Sequence, residues 1–262
     1  MAKSQPIKTA LLSVSDKTGI VELAKALREL NITILSTGGT AKELESAGIA
    51  DTPAEEYTGS PEGLGGRVKT FHPKLFAGIL AKPAQSGELK QWDAEPIGLV
   101  CVNFYPFSET VASGAKPDEI IEQIDIGGPS MVRAAAKNHD SVAVLTDPKQ
   151  YAGVIKELTK GQELSGQTRS ELAQAAFFQT AQYDAAVSNW FTRDQKFPDL
   201  KPWVFEKIAD LRYGENPHQG GAYYAEAGTG EHLLSFAKQL HGKELSLNNL
   251  LDLDTAQFFI EE

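Results

Sequence analysis

Residues 9–14 read T-A-L-L-S-V, and S-D-K-T-G follows at 15–19. The first run is short, apolar and suited to a strand. From Gly19 to Leu30 the spacing changes: Ile20, Leu23, Ala24, Leu27 and Leu30 fall near one helical face. Ile32 to Leu35 then reads as a second buried strand, broken by Thr37-Gly38-Gly39-Thr40. A strand, a turn, an amphipathic helix and another apolar strand make the repeating unit of a parallel α/β sheet.

Outward from that unit the same alternation continues. Ala41 to Ala47 reads as a helix. Ile97 to Tyr105 is a strongly apolar strand stopped by Pro106. Pro117 to Gln123 is helical, Gly127-Gly128 is a break, and Pro129 to Asn138 is a helix with Pro129 suited to its first position. Val142 to Leu145 is a fourth strand, and Ser165 to Phe191 a long helix with Leu172, Ala175, Ala176, Tyr183, Ala186, Val187 and Trp190 at its apolar positions. The pattern predicts an α/β domain over 1–191, a parallel sheet with helices on both faces. It dissolves over 192–206, where Pro198 and Pro202 mark a linker. Residues 207–262 read as the start of an incomplete second domain, closing in a helical pattern from Leu251 to Glu262. Phe236, Leu240, Phe258 and Phe259 are expected to leave apolar surface exposed there.

The 262 residues carry 25 Lys and Arg against 35 Asp and Glu, a formal charge of −10. That balance argues against a uniformly basic nucleic-acid surface, while a local basic pocket stays open. Cys101 is the single cysteine, so no internal disulfide or multi-cysteine metal site is expected. No apolar run approaches the roughly 18 residues that span a membrane, and no signal-peptide core precedes the first strand. The expectation is a cytoplasmic protein without membrane or nucleic-acid partners.

Three junctions share one design. Ser13 to Gly19 follows the first strand, Thr37 to Thr40 follows the second, and Asp125-Ile126-Gly127-Gly128 precedes the Pro129 helix. Each sets small or hydroxyl residues at a helix N-terminus, where free N–H groups and the helix dipole attract anions. Ser15, Thr37 and Thr40 could add hydroxyls, and Lys17 a point charge suited to phosphate. Taken singly, each also reads as an ordinary helix cap. Gly65-Gly66-Arg67-Val68-Lys69-Thr70 adds two cations one residue apart, able to point to one side of an extended segment; a solvated basic loop is the bland alternative. His72 has no partner at metal-ligand spacing and reads as structural. Arg133 and Lys137 lie four apart on one helical face, with Asp125 just ahead of the helix; a plain ion pair is the alternative there. Asn103 and Tyr105 close the third strand, and Cys101 within it reads as a buried small hydrophobe.

S-V-S-D-K-T-G at 13–19, S-T-G-G-T-A at 36–41, G-R-V-K-T at 66–70, N-F-Y-P-F at 103–107 and I-D-I-G-G-P-S-M-V-R-A-A-A-K-N at 124–138 closely resemble one family. It is the bifunctional 5-aminoimidazole-4-carboxamide ribonucleotide formyltransferase/IMP cyclohydrolase family of purine biosynthesis. The resemblance to its cyclohydrolase domain covers about residues 8 to 190. L-R-Y-G-E-N-P-H-Q at 211–219 resembles the opening of the formyltransferase domain. The resemblance implies a methylglyoxal-synthase-like fold and closure of the formylated carboxamide ribonucleotide to IMP with loss of water.

By the same resemblance, Ser15, Asp16, Lys17, Thr37, Gly38, Gly39, Thr40, Arg67, Val68, Lys69 and Thr70 line the nucleotide site. Val102, Asn103, Asp125, Ile126 and Gly127 lie around the base. Lys137 is implied as proton donor, with Lys69, Tyr105 and Asp125 as catalytic neighbours. Arg212 and Tyr213 match nucleotide-contacting positions of the second domain. The cyclisation implies no cofactor or metal, and 10-formyltetrahydrofolate is the co-substrate of the formyltransferase half. The family's catalytic lysine-histidine pair has no match in these residues, so no formyl transfer is expected from them alone. A homodimer is suggested. Two other readings share the fold: a non-catalytic phosphate-ligand sensor, which needs no acid and carboxylate near the base, and methylglyoxal synthase, against which the matches at 66–70 and 124–138 speak.

Overall fold

The computed structural model describes residues 6–161, 163–227 and 237–261. The chain divides into two compact units, Met1–Val187 and Ser188–Glu262. In the first, five parallel strands form one sheet: β1 (Thr9–Ser13), β2 (Thr33–Ser36), β3 (Thr52–Pro53), β4 (Leu99–Val102) and β5 (Ala143–Leu145), in the order β3-β2-β1-β4-β5. The helices between them are α1 (Ile20–Glu29), α2 (Gly38–Ser46), α3 (Ala54–Thr58), α4 (Pro73–Leu80), α5 (Phe107–Ala112), α6 (Pro117–Glu122) and α7 (Gly127–Lys137). After β5 come α8 (Tyr151–Gly161) and α9 (Gly166–Phe191).

Ala10, Leu11 and Leu12 are all fully buried, as are Leu99 and Val100. Consecutive strand residues point to opposite faces, so both faces of the sheet are covered. The helix α1 packs on α2 and α8, and α4 packs on α7, which also lies on β4. Ile20, Leu23, Ala24 and Leu27 are buried, in agreement with the spacing in the sequence. Each such aliphatic side chain contributes roughly 1.5–3 kcal/mol of transfer free energy.

The register fixes where a ligand can sit. Ser13 pairs with Val102, and Leu12 pairs with Cys101 on one side and Ser36 on the other. The chain therefore leaves the sheet at Val14, Thr37 and Asn103 along one edge. After β1 the chain goes on to β2, while β4 takes the other side of β1; that is the topological switch point where α/β sheets bind ligands.

Several sequence expectations are corrected. The edge strand Thr52–Pro53 was not foreseen, because two residues carry no periodicity. The apolar run from Ile97 to Tyr105 keeps its ladder only over Leu99–Val102. The Gly127-Gly128 pair is the first turn of α7 rather than a break, which puts Pro129 at the third position. Proline is tolerated there because the first N–H groups of a helix have no intrahelical acceptor. Leu172, Ala176, Tyr183 and Trp190 of α9 are buried, while Ala175, Ala186 and Val187 are only partly so.

In the second unit, β6 (Phe205–Leu211) and β7 (Gly221–Glu226) form an antiparallel pair, followed by α10 (Leu247–Glu261). The strand β6 begins inside the 192–206 stretch read as linker. Leu240, Phe258 and Phe259 are exposed, and Phe236 lies outside the described residues. Among the described residues no helix is long and apolar enough to cross a membrane.

Candidate active site

The loop after β1 is held from two sides. Asn103 Oδ1 accepts from the N–H of Ser15 (2.6 Å) and of Asp16 (2.9 Å), and its Nδ2 donates to Asp16 O at 3.0 Å. Thr40, buried in α2, accepts from the Val14 N–H at 2.9 Å and donates to Val14 O at 3.2 Å. Asn103 and Thr40 thus spend their polar atoms on shaping the loop. Thr37 is similarly occupied: its hydroxyl bonds Ser13 Oγ at 2.6 Å and does not cap α2. That leaves the first N–H groups of α2, at Gly38 and Gly39, facing outward without a side-chain cap.

Two ammonium groups approach those glycines. A β-carbon at Gly38 would stand 3.6 Å from Lys69 Nζ, and one at Gly39 would stand 3.8 Å from Lys17 Nζ. Gly38 also has φ +41°, which favours glycine. Lys17 Nζ donates to Val14 O and to Ser15 O. Burial lowers the Lys17 pKa, and the charge of Lys69 lowers it further against the pull of Glu43 and Asp16. Two cations beside the positive end of a helix favour an anion between them. A cavity of about 450 Å³ opens there, lined by Gly38, Gly39 and Lys69, with Glu45, Glu55 and Glu62 also on its wall.

Lys69 joins this cradle to a second group. Its Nζ lies 5.8 Å from the centre of the Tyr105 ring. Burial acts to lower its pKa, but the Tyr105 hydroxyl and the charges of Glu62 and Asp125 outweigh that, and the pKa ends raised. Asp125 shows the opposite balance. Burial raises its pKa against the N–H groups of Gly128, Tyr105 and Gly127 and the charge of Lys69. Gly128 N–H donates to Asp125 Oδ1 at 2.9 Å. A β-carbon at Gly128 would meet Asp125 Oδ2 at 2.4 Å, and one at Gly127 would meet Thr70 Oγ1 at 2.4 Å. The glycine pair is what lets Asp125 and the buried Thr70 close onto the start of α7. Ile126, beside them, is 60% exposed and offers an apolar surface at the mouth.

Other candidates stand apart. Arg67 has helical rather than extended backbone angles, and the two cations part: Arg67 goes to Glu122, Lys69 to Gly38 and Tyr105. Arg67 is exposed and pairs with Glu122 of α6. Val68 pairs its backbone with Gly63, and the Val102 side chain is core. Lys137 ends α7. Ten residues of helix, about 15 Å, separate it from Gly127. Its neighbour Asn138 donates to Ile79 O and Ala81 O and lines a separate cavity of about 560 Å³, at the opposite ends of the strands with Lys8, Gly98 and Val142. Lys137 therefore stands away from Lys69, Tyr105 and Asp125, which the resemblance implied as its neighbours.

His72 caps α4, its Nδ1 accepting from the Lys74 N–H at 3.2 Å. Cys101 is buried and donates to Tyr151 OH at 3.2 Å; burial pushes its thiol up to about 12, far from nucleophilic use. In the second unit the Arg212 guanidinium lies 4.9 Å from the Tyr213 ring centre, and Nη2 donates to its hydroxyl at 3.3 Å. The sequence reading left Tyr183 of α9 out of the site. Its hydroxyl accepts from the Asp125 N–H at 2.7 Å, and its place in an apolar stripe gave no polar signal.

Two family descriptions match the chain: an MGS-like domain over residues 19–130 and the AICARFT/IMPCHase bienzyme over residues 135–262. The bifunctional purine biosynthesis protein PurH of Myxococcus xanthus is 52% identical over 253 residues, covering 94% of this chain and 49% of that protein. PurH of Mycobacterium marinum is 51% identical over 262 residues, covering 96% of this chain and 50% of that protein. The chain thus spans about half the length of the curated relatives it matches. A solved structure titled "Crystal structure of ForH" is similar at 36% identity and a TM-score of 0.62, over 71% of this chain and 99% of that one. The two descriptions together match nearly the whole length of the chain, which belongs to the AICARFT/IMPCHase bienzyme family.

Proposed function

We propose that unit Met1–Val187 closes the ring of 5-formamidoimidazole-4-carboxamide ribonucleotide to give IMP and water. The observation that carries this reading is the place of Lys69, whose ammonium stands beside Gly38, lies 5.8 Å from the centre of the Tyr105 ring and feels the charge of Asp125. In this reading the phosphate takes the N–H groups of Gly38 and Gly39 with Lys17. The base then extends toward Asp125, with Ile126 against it.

The carboxamide nitrogen attacks the formyl carbon within one bound molecule, so holding the two groups in line supplies much of the acceleration. Asp125 accepts the proton that nitrogen loses; its raised pKa makes it a better base than an exposed carboxylate. Negative charge grows on the formyl oxygen, where the Lys69 ammonium and the Tyr105 hydroxyl stabilise it. The oxyanion takes one proton to become a hydroxyl and a second to depart as water, while the former formamide nitrogen gives up its proton as the ring C=N bond forms. Lys137 as the donor of the second proton rests on the resemblance alone. We assign no formyl transfer from 10-formyltetrahydrofolate to Ser188–Glu262, and we set the reaction in the cytoplasm.

The test measures IMP formation by wild type, Lys69→Met and Asp125→Asn, with IMP binding measured beside it. The reading expects turnover that collapses in both variants. A folded wild type that binds IMP without turnover supports the phosphate-ligand sensor instead.

A further inference from the structure

One contact lies behind the site. Tyr183 OH accepts from the Asp125 N–H at 2.7 Å and donates to Gln123 O at 2.9 Å. It ties both sides of the turn that delivers the Asp125 carboxylate. Its ring packs edge-on against Phe104, centres 5.0 Å apart, and against Phe107 at 6.1 Å. Those two phenylalanines flank the segment that carries Tyr105. A single side chain on α9 therefore holds the backbone beneath both Asp125 and Tyr105, while lying behind them and not in the cavity.

We propose that Tyr183 is a positioning residue for the cyclisation, setting the carboxylate of Asp125 against Tyr105 and Lys69. This rests on the cyclohydrolase reading. The ring supplies packing that any aromatic would supply. The hydroxyl supplies the two bonds to residues 123 and 125, and phenylalanine lacks only those.

The experiment compares wild type, Tyr183→Phe, Asp125→Asn and the double variant in the full chain, using 5-formamidoimidazole-4-carboxamide ribonucleotide. Active sites are counted by stoichiometric IMP binding, and folding is checked by thermal melting. Tyr183→Phe removes both hydroxyl bonds and is expected to lower kcat per active site at least about tenfold, with KM moving less than twofold. In the Asp125→Asn background the same substitution is expected to add less than a twofold loss, because the group it aims is gone. An equal loss in both backgrounds, or wild-type kcat in Tyr183→Phe, overturns the proposal. If the folded wild type binds IMP but gives no turnover, the cyclohydrolase reading fails instead; if Asp125→Asn leaves turnover intact, the proposal falls with the role of Asp125 while the cyclohydrolase reading stands.

Discussion

Replacing Gly128 with alanine should separate stability from activity. A β-carbon there would stand 2.4 Å from Asp125 Oδ2 and 3.0 Å from its Cγ. Ordinary contact for such a carbon begins at 3.4 Å, so the carboxylate must retreat by about 1.0 Å. A displacement of that size at a reacting group costs on the order of 10²-fold in rate. Stability should hardly move. Alanine gains about 0.8–1.0 kcal/mol over glycine inside a helix, and less at the second position of α7. Loss of the Gly128 N–H bond to Asp125 offsets about 0.5–1.5 kcal/mol. The net lies within about 1 kcal/mol, or roughly 2–4 °C of melting temperature for a unit of this size. The assay pairs kcat/KM for IMP formation with a thermal melt. Gly153→Ala in α8, with open space around its β-carbon, is the control; it should gain about 0.5–1 kcal/mol and keep full activity. A folded Gly128→Ala enzyme within threefold of wild-type kcat/KM would refute the placement of Asp125 in the chemistry.

Asn103→Ala removes the acceptor of two backbone N–H groups and the donor to Asp16 O; we expect a loss of about 1–3 kcal/mol in denaturant titration and weaker IMP binding by calorimetry. Lys17→Met relieves a buried charge whose pKa is depressed by burial and by Lys69; its melting temperature at pH 7 should rise while IMP affinity falls at least about tenfold. For Asp125 the sign runs the other way from a salt-bridged acid. Its folded pKa lies above the ordinary 3.8, so the proton is held more tightly in the folded protein. The stabilisation is present below 3.8 and lost as pH rises through the folded value. Asp125→Asn should therefore be more stable than wild type at pH 7, with the gain vanishing toward pH 3 in a melting series; a constant gain across that range would contradict the assignment.

Four strands of the sheet were legible because each is an apolar run between clear punctuators, and α1 because its buried positions recur at helical spacing. The edge strand Thr52–Pro53 was not, since two residues held only by Leu35 and Ser36 leave no local pattern. The site divides in the same way. Glycines and hydroxyls at strand-to-helix junctions announce an anion cradle through backbone chemistry that any sequence must obey. Tyr183 reaches Asp125 across 58 residues of chain, and nothing local in α9 distinguishes it from a core tyrosine. Lys137 shares a motif with Asp125 in sequence, but α7 carries it about 15 Å along its axis from Gly127.

The motif residues also do different physical work from one another. Asn103, Thr40 and Thr37 use their polar atoms on the protein itself, and Gly127 and Gly128 act by lacking a side chain. The charges left over oppose the fold: burial disfavours charge on Lys17 and on Asp125, and Lys17 and Lys69 repel. In the proposed reading a nucleotide supplies what that arrangement lacks: its phosphate would answer the two lysines and the open end of α2, and its base would occupy the space before Asp125. Binding that relieves such strain stabilises the folded state in proportion to RT ln(1 + [L]/Kd), so IMP should raise the melting temperature of wild type more than that of Lys17→Met at equal concentration. Equal shifts would mean that the cradle at Gly38 and Gly39 does not receive the phosphate.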